Sequence, residues 1–129
     1  MQQLLLIEDN ADNRELIHAF LDGEFEVQSV EDGPSALAVL EDETEVRLDV
    51  VLCDIALPGM DGVEVLKRLR GIVRLEYLPV IAVTSHAMAG DRERFLEAGF
   101  DAYLSKPIHD PEDLYTAIAA GMAAALKRG

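Results

Sequence analysis

Apolar residues fall along this chain in two rhythms. Short unbroken runs recur at Leu4 to Ile7, Val50 to Cys53 and Val80 to Val83, with further candidates at Phe25 to Val30 and Ala102 to Leu104. Between them the apolar positions open out to helical spacing: Leu16, Ile17, Phe20 and Leu21; Leu37 and Leu40 among alanines; Val63, Val65, Leu66 and Leu69; Phe95, Leu96 and Ala98; then Leu114, Ile118, Gly121 and Met122. Strand followed by helix, five times over, predicts an α/β fold with a doubly wound, five-stranded parallel sheet, because parallel neighbours need a crossover between them. The three runs without polar alternation should be central strands covered on both faces. Phe25-Glu26-Val27-Gln28-Ser29-Val30 alternates, as an edge strand does. Asp22-Gly23, Asp32-Gly33-Pro34, Gly71 and Gly99 punctuate the pattern where helices should begin or end.

Length and composition narrow the picture. At 129 residues, half of them apolar, the chain suits one domain with one ordinary core, and no linker, repeat or low-complexity stretch divides it. Twenty-five acidic side chains against eleven basic ones give a net charge of −14, which repels nucleic acid and anionic membrane surfaces. Lys67, Arg68, Arg70 and Arg74 form the one basic cluster, expected to be a solvated helix face. The single cysteine, Cys53, lies inside an apolar run and reads as a small buried hydrophobe in a reducing compartment. No stretch approaches the roughly eighteen apolar residues that span a bilayer, and MQQLLLIED carries no basic leader, so the expectation is a cytoplasmic protein with no membrane or nucleic-acid partner.

The chemistry is expected where the strands end. In a doubly wound sheet, ligands bind outside the carboxyl ends of the strands. There the sequence places Glu8-Asp9, Asp54, Thr84-Ser85 and Ser105-Lys106-Pro107. Crowded carboxylates cost stability unless a cation joins them, and an all-oxygen donor set favours Mg²⁺ or Mn²⁺ over Zn²⁺. A carboxylate beside such an ion, with Lys106 and Thr84 nearby, has the means to take a phosphoryl group as an acyl phosphate. Asp54 is preferred to Asp61 as the reacting group because it terminates a buried run, whereas Asp61-Gly62 suits a turn and a helix cap.

Together, LLLIEDNADNREL, VVLCDIALPGMDGVEVLKRLR and LPVIAVTSHAMAGDRERFLEAGFDAYLSKPI resemble the response-regulator receiver domains of two-component signalling over nearly the whole chain. The likeness is strongest to single-domain regulators and to receivers of hybrid histidine kinases. It implies a flavodoxin-like sheet of order 2-1-3-4-5, one receiver domain over residues 1–129 with no output domain, and a signalling protein that catalyses only its own phosphorylation and dephosphorylation. It also implies that Asp54 is the phosphoacceptor. Asp9 and Asp54 would bind Mg²⁺ directly, Glu8 would help, often through water, and the Ala56 carbonyl would add a ligand. Thr84 would hydrogen-bond the phosphoryl group, Lys106 would pair with it, and the Lys106-Pro107 bond would be cis. Thr84 and Tyr103 would then switch the surface of the fourth helix, fifth strand and fifth helix. The implied donor is a histidine kinase or histidine phosphotransfer protein and the implied target another protein, with the chain a monomer or a phosphorylation-linked dimer. Two departures from the family pattern, Ala56 and His86, flank the reacting position; an imidazole there could orient water or screen it.

Two rival functions remain. An aspartate-nucleophile phosphatase needs a second acid two residues after the nucleophile, and Ala56 stands there. A flavodoxin-like cofactor domain needs a phosphate loop after the first strand, where Glu8-Asp9-Asn10 would repel an anion.

Overall fold

The computed structural model describes residues 1–44, 47–85 and 88–128. Five strands alternate with five helices: β1 Gln2–Ile7, α1 Ala11–Leu21, β2 Phe25–Val30, α2 Gly33–Glu41, β3 Val50–Asp54, α3 Gly62–Arg70, β4 Val80–Thr84, α4 Asp91–Ala98, β5 Ala102–Ser105 and α5 Pro111–Arg128. A short 3₁₀ turn, Val73–Leu75, which the sequence spacing does not announce, precedes β4. All strand pairs are parallel and the order is β2-β1-β3-β4-β5. The alternating run Phe25–Val30 is an edge strand, and the three unbroken apolar runs are the interior ones.

Successive strand residues point to opposite faces, so a strand buried on both sides must be apolar at every position. Leu5, Ile7, Val51, Cys53, Val80 and Ala82 pack on one face against Leu37 and Leu40 of α2, Val65, Leu66 and Leu69 of α3 and Phe95 of α4. Leu4, Leu6, Val50, Leu52, Ile81 and Val83 pack on the other against Ile17 and Leu21 of α1 and Leu114 and Ile118 of α5. Fully burying each large side chain contributes about 1.5–3 kcal/mol. Gly121 belongs to this second layer by its absent side chain: a Cβ there would lie 2.9 Å from Ile81 Cγ1, and the close approach of α5 to β4 offsets the poor helix propensity of glycine.

Two sequence expectations need correction in detail, and the reading of Cys53 holds. Leu16 and Leu96 are left 39% and 37% exposed, outside the core, because Ile17 with Leu21, four apart, and Phe95 take the core-facing positions of their helices. The basic cluster is not simply solvated either. Arg74 donates to the Leu40 carbonyl at 2.6 Å, and Arg70 reaches Asp101 at 2.9 Å and the Leu78 carbonyl at 2.7 Å. Lys67 and Arg68 do stay exposed. Cys53 is fully buried, and burial pushes its thiol far above the ordinary range, so it is a packing residue.

Candidate functional site

Four of the five strands deliver polar groups to the same edge of the sheet. β1 runs directly into Glu8 and Asp9, β3 ends in Asp54, β4 ends in Thr84, and Lys106 follows β5. Parallel register then fixes their neighbourhood: Asp54 pairs with Val83 and Thr84 with Ser105, while the Lys106 amide donates to the Thr84 carbonyl at 2.7 Å. Carboxylate oxygens of Glu8, Asp9 and Asp54 lie within 4.8 Å of one another. Glu8, Asp54 and Thr84 are buried and Asp9 is exposed, so the cluster has a wet side.

Lys106 joins the two buried acids, its Nζ lying 2.5 Å from Glu8 Oε1 and 3.1 Å from Asp54 Oδ2. Three carboxylates share the site with one ammonium, and the Glu8 carboxyl and the Lys106 ammonium are both pushed up. Burial raises the Glu8 carboxyl above its usual value, against the pull of its bonds from Lys106 and Asn10, and the charge of Asp54 adds to the rise. Burial alone would lower the Lys106 ammonium, yet the Glu8 hydrogen bond and the Asp54 charge outweigh it and leave it raised. The site therefore holds its lysine protonated and still has negative charge to spare.

The loops around the cluster are built for close approach. The β3–α3 loop returns so tightly that the Gly62 amide donates to the Ile55 carbonyl at 2.9 Å, and a Cβ on Gly62 would sit 2.5 Å from the Asp54 carbonyl oxygen. No other residue type fits that contact. Asp61, the rejected alternative to Asp54, caps α3 by accepting from the Glu64 amide at 2.9 Å. The Ala56 amide donates to Asp54 Oδ1 at 3.2 Å, and none of the described loop amides donates to the Ala56 carbonyl. The Lys106-Pro107 bond is cis.

Tyr103 lies one strand residue beyond Ala102, half-buried, its ring stacked on Phe95 at 6.0 Å and 18°. Arg94 covers the other ring in turn, 4.7 Å from the Phe95 centroid. Burial, then the charge of Asp91, pushes the Tyr103 phenol up. His86 lies outside the described residues.

Two residues that the sequence reading did not single out support the acids. Asn10 caps α1 with its side chain, accepting from Asn13, and gives its own amide to Glu8 Oε2 at 3.2 Å. Arg14 donates to the Glu8 carbonyl at 2.9 Å and pairs with Glu31 at 3.1 Å. The S/T/D/N-type cap signal before Ala11 was available for Asn10; for Arg14 there is no local signal, because Glu31 arrives from the end of β2.

The oxygen-only donors, their mutual reach and their uncompensated charge fit a hard divalent cation. A cleft of about 520 Å³ lined by Leu40, Leu48, Asp49, Arg74, Tyr77 and Pro79 opens at the opposite edge of the sheet, and none of Glu8, Asp9 and Asp54 borders it.

Comparison with known proteins bears on the chain as a whole. The family model for the response regulator receiver domain matches residues 4–119. The chain is 38% identical to the polar-differentiation response regulator DivK of Brucella anthropi, covering 89% of this chain and 92% of that one. It is 39% identical to hybrid signal transduction histidine kinase I of Dictyostelium discoideum over 91% of this chain, which is only 7% of the kinase. Among solved structures, the receiver domain of sensor histidine kinase PA1611 from Pseudomonas aeruginosa PAO1, described with a magnesium ion coordinated in its active site cleft, superposes with a TM-score of 0.82 at 34% identity, covering 95% of this chain and 98% of that one.

Proposed function

The chain belongs to the response regulator receiver domain family of two-component signalling, and from that premise we propose that it takes a phosphoryl group onto Asp54 from a phosphohistidine donor, with Mg²⁺ held by Asp9 and Asp54, Glu8 assisting and the Ala56 carbonyl adding a ligand. Mn²⁺ serves the same oxygen donors. The observation that carries this reading is Lys106 lying between Glu8 and Asp54 while Asp9 shares their 4.8 Å cluster. The Pseudomonas relative with magnesium in its cleft supports the choice of ion.

An oxygen of Asp54 forms the new P–O bond as the P–N bond to the donor histidine breaks. The bonding pair leaves on the imidazole nitrogen, which regains a proton from solvent. Such a transfer asks mainly for positioning and for neutralised charge. Strand β3 supplies the first by fixing Asp54, and the Ala56 amide orients the carboxylate through Oδ1. Lys106, kept protonated despite its burial, supplies the second by moving from Asp54 to the arriving phosphoryl oxygens. Bound Mg²⁺ would neutralise carboxylate charge and polarise the phosphoryl oxygens. Thr84, at the end of the adjacent strand, gives the phosphoryl group its hydroxyl.

The new group carries up to about two negative charges. Drawing Thr84 toward it vacates space that Tyr103 can enter by leaving its stack on Phe95, and the surface of α4, β5 and α5 changes shape for a protein target.

Phosphoramidate offers the same P–N bond as phosphohistidine. Incubation with it and MgCl₂ is expected to add one hydroxylamine-labile phosphoryl group by intact mass, and EDTA is expected to prevent it. An unmodified protein in MgCl₂, or equal modification in EDTA, would contradict the reading.

A further inference from the structure

We propose that Arg14 is a positioning residue for the cation site: its guanidinium holds the Glu8 carbonyl and Glu31 together, fixing the point where the chain leaves β1 and so keeping the Asp9 carboxylate within reach of Asp54. The proposal rests on the Mg²⁺ reading given above and assigns a determinant of that site outside its ligands.

Glu8 is fixed at every polar atom. Its amide donates to the Val30 carbonyl at 3.0 Å, its carbonyl accepts from Arg14 Nη1 at 2.9 Å, Oε1 meets Lys106 and Oε2 accepts from the Asn10 amide. Of these four restraints, three come from backbone or from the cluster itself. Arg14 alone brings in a side chain from α1, and it holds the peptide unit that joins Glu8 to Asp9. The Arg14 side chain is 19% exposed while Glu31 is 70% exposed, so the Glu31 pair by itself contributes little and serves to aim the second arm of the guanidinium. Arg14 is also anchored at its own backbone, its amide donating to the Asn10 carbonyl at 3.0 Å in the first turn of α1. The guanidinium thus ties α1, the end of β1 and the end of β2 at the residue where Asp9 must turn toward Asp54.

A guanidinium beside a cation site has a second consequence, of opposite sign. By simple repulsion, removing Arg14 would tighten cation binding. By positioning, removing it loosens the ligands, and partners that orient metal-binding carboxylates are worth about 10–100-fold in metal affinity. The direction of change separates the two.

Isothermal titration of MgCl₂ at constant ionic strength into wild type, Arg14→Ala and Glu31→Gln reads that direction, with circular dichroism confirming that each variant is folded. Arg14→Ala is expected to raise the Mg²⁺ Kd about tenfold or more, and Glu31→Gln, which leaves the Glu8 carbonyl bond in place, to change it less than about twofold. Should Arg14→Ala not fold, Arg14→Lys, whose single ammonium cannot serve both partners, is expected to bind several-fold more weakly than wild type. An Arg14→Ala or Arg14→Lys protein that binds Mg²⁺ as tightly as wild type, or more tightly, overturns the proposal while leaving the site reading intact. A wild type that takes up no Mg²⁺ overturns the site reading and this proposal with it.

Discussion

Asp54→Asn is expected to remove phosphorylation altogether. With acetyl phosphate and Mg²⁺ the wild type gains one phosphoryl group; the variant, incubated alongside, is expected to gain none, a loss of at least about a thousandfold in rate, as removal of a reacting nucleophile generally costs. Asparagine keeps the shape of the strand end, and its amide can still meet Lys106, so the loss reports missing nucleophilicity. The Glu8 to Lys106 contact at 2.5 Å survives, and one of three clustered negative charges is gone. The melting temperature in EDTA is therefore expected to hold or rise. Phosphorylation of the variant at the wild-type rate would move the reacting group elsewhere, and a clear fall in melting temperature would mean that Asp54 supports the fold.

The largest expected loss of stability lies at the other end of the sheet. Asp101, just before β5, has a side chain only 2% exposed; its Oδ2 accepts from Arg70 and from the Val80 amide, each at 2.9 Å, and Oδ1 meets Arg128 from the last turn of α5. Arg70 also donates to the carbonyls of Leu75, Glu76, Leu78 and Gly99, so one guanidinium gathers the 3₁₀ turn, the approach to β4 and the end of α4. Burial, then the neighbouring Arg128, pulls the Arg70 guanidinium down to about 10, so it remains charged at neutral pH and needs its counter-charge. Asp101→Ala strands two cations and an amide. The expected cost is about 3 kcal/mol, at the low end for breaking a buried pair because both arginines keep carbonyl partners, or about a 10 °C fall in melting temperature. A loss below about 1 kcal/mol in urea unfolding would show that the carbonyls alone satisfy Arg70.

The contrast between these two positions explains what the sequence reveals. Asp54 is legible because an unbroken apolar run must be buried on both faces, and a charge at its end must face the ligand edge of a parallel sheet. The same logic finds Glu8, Asp9, Thr84 and Lys106, and the alternation of β2 marks it as an edge. What the run pattern does not carry is pairing between side chains far apart in the chain. Arg70 reads as part of a solvated basic face because its partner stands 31 residues later, and Arg14 is not singled out because the carbonyl it serves is visible only after β1 and α1 are folded. Long cationic side chains reach out of their own helix face, so spacing says little about their partners. Helix faces are legible to within a position: Leu16 stands beside Ile17 in the apolar spacing, yet it is 39% exposed where Ile17 is buried.

The most direct measurement traps the phosphorylated residue. Protein treated with phosphoramidate and MgCl₂ is reduced with borohydride, which converts an acyl phosphate at aspartate to homoserine, and the peptides are sequenced by mass spectrometry. The expected result is homoserine at position 54 and nowhere else, dependent on Mg²⁺. Homoserine at Asp9 or Asp61 in place of Asp54, or none in the presence of Mg²⁺, would contradict the account.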